Sequence, residues 1–205
     1  MESESRPITE RRRRRMRDVL GRRQPDLTVV VENVHDPHNI SAVLRSCEAV
    51  GVPEVHLVYT VEVRPELSRI TSASALKWLE IVQHPDIPAC YGALRARGFA
   101  IYATHLGAAG RDLYDLDLTA PVALVFGNEQ RGVTDEALAE ADGSFVIPMM
   151  GMVQSLNISV ACAVSLYEAL RQRRAAGAYD RAGLPEADIE ERLITWLQRE
   201  HRLVE

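Results

Sequence analysis

The chain has 205 residues, 46% hydrophobic and 26% charged, which bounds it to one substantial globular domain with short extensions. No apolar run reaches the length of a membrane span, and no apolar segment follows the N-terminal charges, so neither a membrane protein nor a secretory signal is expected. The net charge of −5 is unevenly placed, because residues 1–24 hold nine arginines against four acids, and an acidic body with a basic arm points to a polyanionic partner.

Residues 1–9 read as a disordered tip. A helix opens at Thr9-Glu10, runs through Arg11, Arg12, Arg13, Arg14, Arg15 and Arg17, and carries Met16, Val19 and Leu20 as one apolar stripe. Gly21 and Pro25 close it. Five consecutive arginines beside a small apolar stripe read as a basic helix laid on an RNA backbone. The pattern divides the chain into an arm (1–24), a main domain (25–176) and a C-terminal helical extension (177–205).

Leu27–Glu32 is a buried strand by its β-branched run. Asn33–Asn39 is a polar loop broken by Pro37, and Asn39 is expected to cap a helix over Ile40–Val50 that ends at Gly51. Val43, Leu44, Cys47 and Val50 form its buried face, which leaves Arg45 on the loop or solvent side. Val55–Tyr59 is the next strand, so strand, helix and strand imply a parallel crossover. Thr71–Ala75 is small and polar and reads as a mobile loop. Ile81-Val82 is a weak strand. Asp86–Arg97 is a helix with Pro88 in its first turn.

Phe99–Ala103 is a strand whose carboxyl end leads into Thr104-His105-Leu106-Gly107. Val122–Phe126 is the most apolar strand, followed by the loop Gly127–Gly132 and a helix capped by Thr134. Phe145-Val146-Ile147 is a further strand. It leaves through Pro148-Met149-Met150-Gly151-Met152 to Ser155 and Asn157, either of which suits the N-cap of an alanine-rich helix. That helix carries no acid before Glu168, so its positive dipole end is left free for an anion or an acceptor edge. It ends in Arg171, Arg173 and Arg174, and Arg171 and Arg173 join the arm as expected RNA contacts. After the glycines at 177 and 183, Pro185 starts a last helix with Ile189, Leu193, Trp196 and Leu197 on one side. The whole is an α/β fold with a mostly parallel sheet flanked by helices, and its polar loops gather along one sheet edge.

Several chemistries are not supported. There is no GxGxxG after the first strand and no P-loop. Cys47, Cys90 and Cys162 are far apart and odd in number, which argues against disulfides and for a reducing, cytoplasmic setting. No His/Cys spacing along the chain signals a metal.

Three segments carry a family resemblance. Asn33 to Arg45, with Asn39 inside it, is similar to the first motif of the TrmH family of SPOUT RNA 2'-O-ribose methyltransferases. Phe126-Gly127-Asn128-Glu129 with Gly132 is similar to the second. Gly151 to Ala161, with Ser155 and Asn157, resembles the third. The three stand in the family's order, and the likeness runs from about Thr9 to Tyr179.

The resemblance implies a trefoil-knotted C-terminal half, S-adenosyl-L-methionine as methyl donor, and a homodimer that methylates the ribose of a D-loop guanosine of tRNA (position 18). It implies cofactor contacts from Thr104, Leu106, Gly127, Ile147, Met149 and Leu156. It implies a catalytic group of Arg45, Asn39, Glu129, Ser155 and Asn157. Two alternatives remain open: the ribosomal-RNA branch of the family, whose members commonly carry a larger N-terminal domain, and a non-catalytic RNA-binding or ribosome-assembly protein.

Overall fold

A computed structural model describes residues 8–63, 65, 75–105 and 110–201. Seven strands form one sheet, and every pairing in it is parallel. They are β1 (Leu27–Glu32), β2 (Glu54–Val58), β3 (Glu80–His84), β4 (Ala100–Thr104), β5 (Arg111–Asp112), β6 (Val122–Phe126) and β7 (Gly143–Val146). The helices are α1 (Glu10–Leu20), α2 (Pro37–Val50), α3 (Ile87–Ala96), α4 (Asp135–Glu140), α5 (Ile158–Ala175) and α6 (Glu186–His201).

The spatial order is β3-β2-β1-β6-β4-β7-β5. The chain first builds outward from β1 to β3. It then inserts β6 between β1 and β4, and β7 between β4 and β5. Strands of opposite build direction therefore meet near the middle, and a crevice opens outside their carboxyl ends.

Strand alternation sorts the core. Leu27, Val29 and Val31 of β1, with Val122, Leu124 and Phe126 of β6, pack under α2 and α5. Val30, Ala123 and Val125 point to the other face, under α3 and α4. Both faces of the central strands are covered, which is why their sequence is continuously apolar rather than alternating. The short strand β5 and the 3-10 turn Leu113–Asp115 carry no periodic signal and were not expected from the sequence.

A third cluster stands apart. Met16 and Leu20 of α1 pack against Leu184, and against Ile189, Leu193 and Trp196 of α6. The buried Arg23 joins this pair to the sheet domain. It donates to Val52 O at 2.8 Å and Trp78 O at 3.0 Å, and lies over the Trp196 ring. Burial pulls its pKa down to about 10. The arm is thus not a free tail, because its apolar stripe is spent on α6.

Two expectations change. The first crossover helix begins at Pro37 with Asp36 as its cap, whose side chain accepts from His38 N at 2.8 Å. Pro37 has the φ of a first helical residue and lacks the amide that would go unbonded there, so the helix starts three residues early. Asn39 is therefore a first-turn residue whose side chain is released from capping. The glycine at the other end holds: Gly51 closes α2 at φ +91°, where a Cβ is strained.

Of the arginines expected to contact RNA, Arg173 is 1% exposed and saturated. It donates to the carbonyls of Leu118, Ala120 and Asp26 and pairs with the Asp26 carboxylate. A guanidinium with its donors committed inside the fold cannot reach a phosphate, so Arg173 is structural. Arg171 is exposed and holds Glu168 through two bonds. The expected loop at 71–75 lies outside the described residues except for Ala75, which is buried.

Candidate active site

A cavity of about 390 Å³ lies beyond the carboxyl ends of β4, β6 and β7. Three loops wall it, and each leaves a different strand. Thr104 ends β4 and His105 follows it, Gly127–Gly132 follows β6, and Ile147, Met149 and Gln154–Leu156 follow β7. Its floor is apolar, from Phe126, Leu138, Phe145, Ile158 and Ala161. The volume falls in the range of small-molecule sites, and apolar walls with a few polar groups are their usual lining.

Of the six expected cofactor contacts, Thr104, Gly127, Ile147, Met149 and Leu156 all line this one cavity. Leu106 lies outside the described residues. Gly127 is there for a steric reason. A Cβ on it would come within 2.2 Å of the backbone of Gly132 and Val133. The two ends of the loop approach so closely that only glycine fits.

The first and third motifs meet at the second. Asn157 Nδ2 donates to Asn39 Oδ1 at 3.0 Å, and Asn39 Nδ2 donates to Glu129 Oε1 at 2.9 Å. Each amide uses its oxygen and its nitrogen in opposite directions, which gives the relay one polarity. Asn157 is at the same time the cap of α5, its Oδ1 accepting from Ser159 N at 2.9 Å. Ser155, the other possible cap, instead lines the cavity. Glu129 is both the end of the relay and part of the cavity wall. The α5 first turn carries no acid, so its amide end is electropositive toward the crevice.

Arg45 stands apart from this cavity. It is exposed on α2, six residues or about 9 Å of helix rise beyond Asn39. It makes no hydrogen bond or ion pair among the described residues, so its five donors are open to a partner from outside the chain. An unpaired guanidinium can stabilise developing negative charge on a substrate that reaches it.

The sequence named Asn33, Asn128 and Thr134 within motifs or as a cap but gave no role to the side chains that hold the loops. Asn33 sits at φ +52°, and its Oδ1 accepts from the amides of Thr60, Val61 and Glu62. Its own carbonyl accepts from Asn128 Nδ2 at 2.9 Å. Asn128 in turn bridges Gly132 through both backbone groups and accepts from Gln130 N. Glu32, buried at the end of β1, accepts from Thr134 N at 2.9 Å and from the Thr134 hydroxyl. Burial pushes its carboxyl upward, against those hydrogen bonds. The one local signal for Asn33 is that Asn at a strand end tolerates the left-handed region.

The arm places its arginines unequally. Arg12 pairs with Glu200 at 3.0 Å and lies over Trp78, while Arg17 pairs with Glu186 and Glu190. Arg11, Arg13, Arg14 and Arg15 are exposed and make no ion pair among the described residues. The apolar stripe faces α6, which turns these four toward solvent.

Comparison with known proteins gives a consistent result. Residues 26–167 match the model of the SpoU rRNA Methylase family. The chain is 52% identical over 191 residues to a tRNA (guanosine(18)-2'-O)-methyltransferase of Thermus thermophilus, covering 93% of this chain and 98% of that one. It is 46% identical over 182 residues to the enzyme of the same name from Escherichia coli, covering 88% and 79%. Among solved structures, a TrmH/SpoU tRNA modifying enzyme from A. aeolicus superposes with a TM-score of 0.86 at 39% identity, covering 92% of this chain and 96% of that one. The SpoU methyltransferase AviRb from Streptomyces viridochromogenes, solved in complex with AdoMet, has a TM-score of 0.67 at 27% identity, covering 77% and 62%.

Proposed function

The chain belongs to the SpoU rRNA Methylase family, and from that premise we propose that it is a tRNA (guanosine-2'-O-)-methyltransferase that uses S-adenosyl-L-methionine to methylate the ribose of a D-loop guanosine, position 18. The observation that carries this reading is the meeting of the second and third motif loops at one cavity, with the first motif tied to them by the Asn157–Asn39–Glu129 relay. The ribosomal-RNA alternative is less well supported, since the tRNA enzymes match over nearly the whole chain. Incubation with labelled S-adenosylmethionine and, in parallel, bulk tRNA and ribosomal RNA, followed by nuclease mapping, tests it. Label in ribosomal RNA but not in tRNA would overturn the substrate.

The cavity suits the cofactor. Its apolar floor accepts a flat base, and its backbone-rich loops supply amides and carbonyls. Thr104, Gly127, Ile147, Met149 and Leu156 would hold it, with Leu106 assigned by the family resemblance. When bound, S-adenosylmethionine supplies an electrophilic methyl group. Arg45 meets the ribose 2'-hydroxyl and its adjacent phosphate. A guanidinium is almost never deprotonated, so Arg45 stabilises the developing alkoxide, and the proton passes to a phosphate oxygen or to a strongly perturbed guanidine. Asn39, Asn157 and Glu129 fix the geometry between the cofactor loops and α2, and Ser155 contributes from the cavity wall. In-line transfer then depends chiefly on positioning.

The division into arm, central domain and C-terminal helix, the cytoplasmic setting and the trefoil knot belong to the same reading. No helix among the described residues is long and apolar enough to cross a membrane. A homodimer is supported by exposed apolar side chains next to the site: Met150 and Met152 are 94% and 98% exposed, Val153 of the same loop is exposed, and so are Val160 and Tyr167 on α5. We propose that a second copy covers this surface and that one subunit's Arg45 serves its partner's cofactor loop. Mixed dimers of Arg45→Ala and Asn157→Ala chains test this arrangement. Recovery of about half the activity per dimer is the expected result for one restored site of two. Confirmed heterodimers that stay inactive would refute the sharing.

A further inference from the structure

Folding joins three side chains that the sequence keeps apart. His56 lies in β2, His84 ends β3, and Cys90 lies in the first turn of α3. One ligand atom of each lies within 4.8 Å of the others. His56 Nδ1 and His84 Nε2 are 2.8 Å apart, and the rings are stacked with centroids 5.1 Å apart. His56 and Cys90 are buried, whereas His84 is half-buried at the sheet margin.

The other nitrogen of His56 is also spoken for. Its Nε2 is 3.0 Å from Glu54 Oε1. The approach is off the ideal hydrogen-bond axis, yet the carboxylate's charge still favours the proton on that nitrogen. That choice leaves Nδ1 as a lone pair aimed at His84 and Cys90. An imidazole backed by a carboxylate, with its second nitrogen free, is the arrangement metal-binding histidines use. Two imidazoles and a thiol make a borderline-soft donor set that suits zinc better than calcium or magnesium.

We propose that His56 Nδ1, His84 Nε2 and Cys90 Sγ form a site for one zinc-class divalent cation, with water in the fourth position on the half-exposed His84 side. The two nitrogens stand at hydrogen-bond distance. Zinc–nitrogen bonds of 2.0–2.1 Å at tetrahedral angles set such a pair about 3.3 Å apart, so the rings need to part by roughly half an ångström. Binding replaces the imidazole–imidazole proton bridge: the proton leaves His84 Nε2 and His84 takes one up on Nδ1 through solvent, with no net release, while the Cys90 thiol loses its proton to solvent. One proton is released per metal bound. The metal would staple the edge strand β3 to β2 and α3, away from the cavity at the other strands.

The test uses the full chain with zinc and cobalt(II). Equilibrium dialysis should give one zinc per chain, and zinc should raise Tm. Cobalt(II) should show a thiolate charge-transfer band that zinc displaces. Cys90→Ser should lose that band. His84→Ala changes a half-exposed residue, so it keeps the fold intact by circular dichroism, and it should lose stoichiometric zinc. Glu54→Gln should weaken zinc about 10-fold or more through the ring it faces. A wild-type chain that holds no stoichiometric zinc would overturn the proposal. So would zinc retained equally by the His84 and Cys90 variants.

Discussion

Asn157 donates from Nδ2 to Asn39 Oδ1 at 3.0 Å, joining the N-terminus of α5 to the first turn of α2 across 118 residues of sequence. Asn39 passes the link on to Glu129 at 2.9 Å. Glu129 and Asn157 are exposed and Asn39 is half-buried, so the hydrogen bonds of the relay contribute little to stability and much to alignment. Asn39→Ala should lower kcat/KM while leaving Tm nearly unchanged; Asn157→Ala should lower kcat/KM and also lose the about 1 kcal/mol that an N-cap contributes. The double variant should be little worse than either single one, with a coupling energy of about 1 kcal/mol, because both changes break one chain of bonds. Strictly additive losses in a double-mutant cycle would show that the two amides act separately.

Arg45→Ala should remove most turnover, by about 100- to 1,000-fold, as expected for loss of a donor to a developing oxyanion. S-adenosylmethionine affinity should be almost unchanged, since Arg45 does not line the cavity. Single-turnover rates and cofactor titration separate the two effects. Loss of cofactor binding in a folded variant would contradict the assignment.

Gly127→Ala places a methyl within 2.2 Å of the Gly132 carbonyl and the Val133 amide nitrogen. Backbone must move on one side, and the loop after β6 is also cavity wall. The variant should lose cofactor affinity and fall in stability by about 1–3 kcal/mol, the usual cost of overpacking. Titration calorimetry and urea unfolding would measure both. An alanine variant with wild-type affinity would mean that the loop is not held as closed as its geometry indicates.

Glu32 has a pKa raised by burial in the folded state. The proton is bound more tightly in the folded chain than in the unfolded one. The stabilisation from the neutral form is therefore complete below the ordinary glutamate value of about 4.3 and is lost as pH rises through the folded pKa. Glu32→Gln keeps an acceptor for Thr134 N and cannot ionise. Its urea midpoint should fall less than the wild type's as pH climbs from that point. Parallel curves for the two proteins would exclude Glu32 as the source.

The arm makes a graded prediction. Neutralising Arg11, Arg13, Arg14 and Arg15 should weaken tRNA binding and flatten its dependence on salt, by up to about 0.9 of log–log slope for each phosphate left without its cation. Neutralising Arg12 and Arg17 should chiefly loosen α1 from α6, since these two already pair with Glu200, Glu186 and Glu190. Binding measured at several salt concentrations distinguishes the sets. Equal slopes for both would mean the ion pairs open on RNA.

The sequence by itself determined what depends on neighbours a few residues away. The β-branched run at Leu27–Glu32, the caps at Thr9, Asp86 and Thr134, and the glycine after Val50 each act within one turn or one strand. Three motifs in order were enough to name a family and five lining residues of its cavity. The tertiary structure decided what depends on who is desolvated and who finds a partner. Arg171 and Arg173 look alike in sequence, two residues apart on one helix. One faces solvent; the other is buried because Asp26, some 147 residues earlier, and the carbonyls around it satisfy its guanidinium. The same holds for Asn39, a plausible cap by composition, which Pro37 displaces into the helix and Asn157 and Glu129 then employ. His56, His84 and Cys90 form a cluster only because β2, β3 and α3 pack together. Local propensity sets each element, but the free energy of a buried polar group depends on partners that only the closed fold supplies.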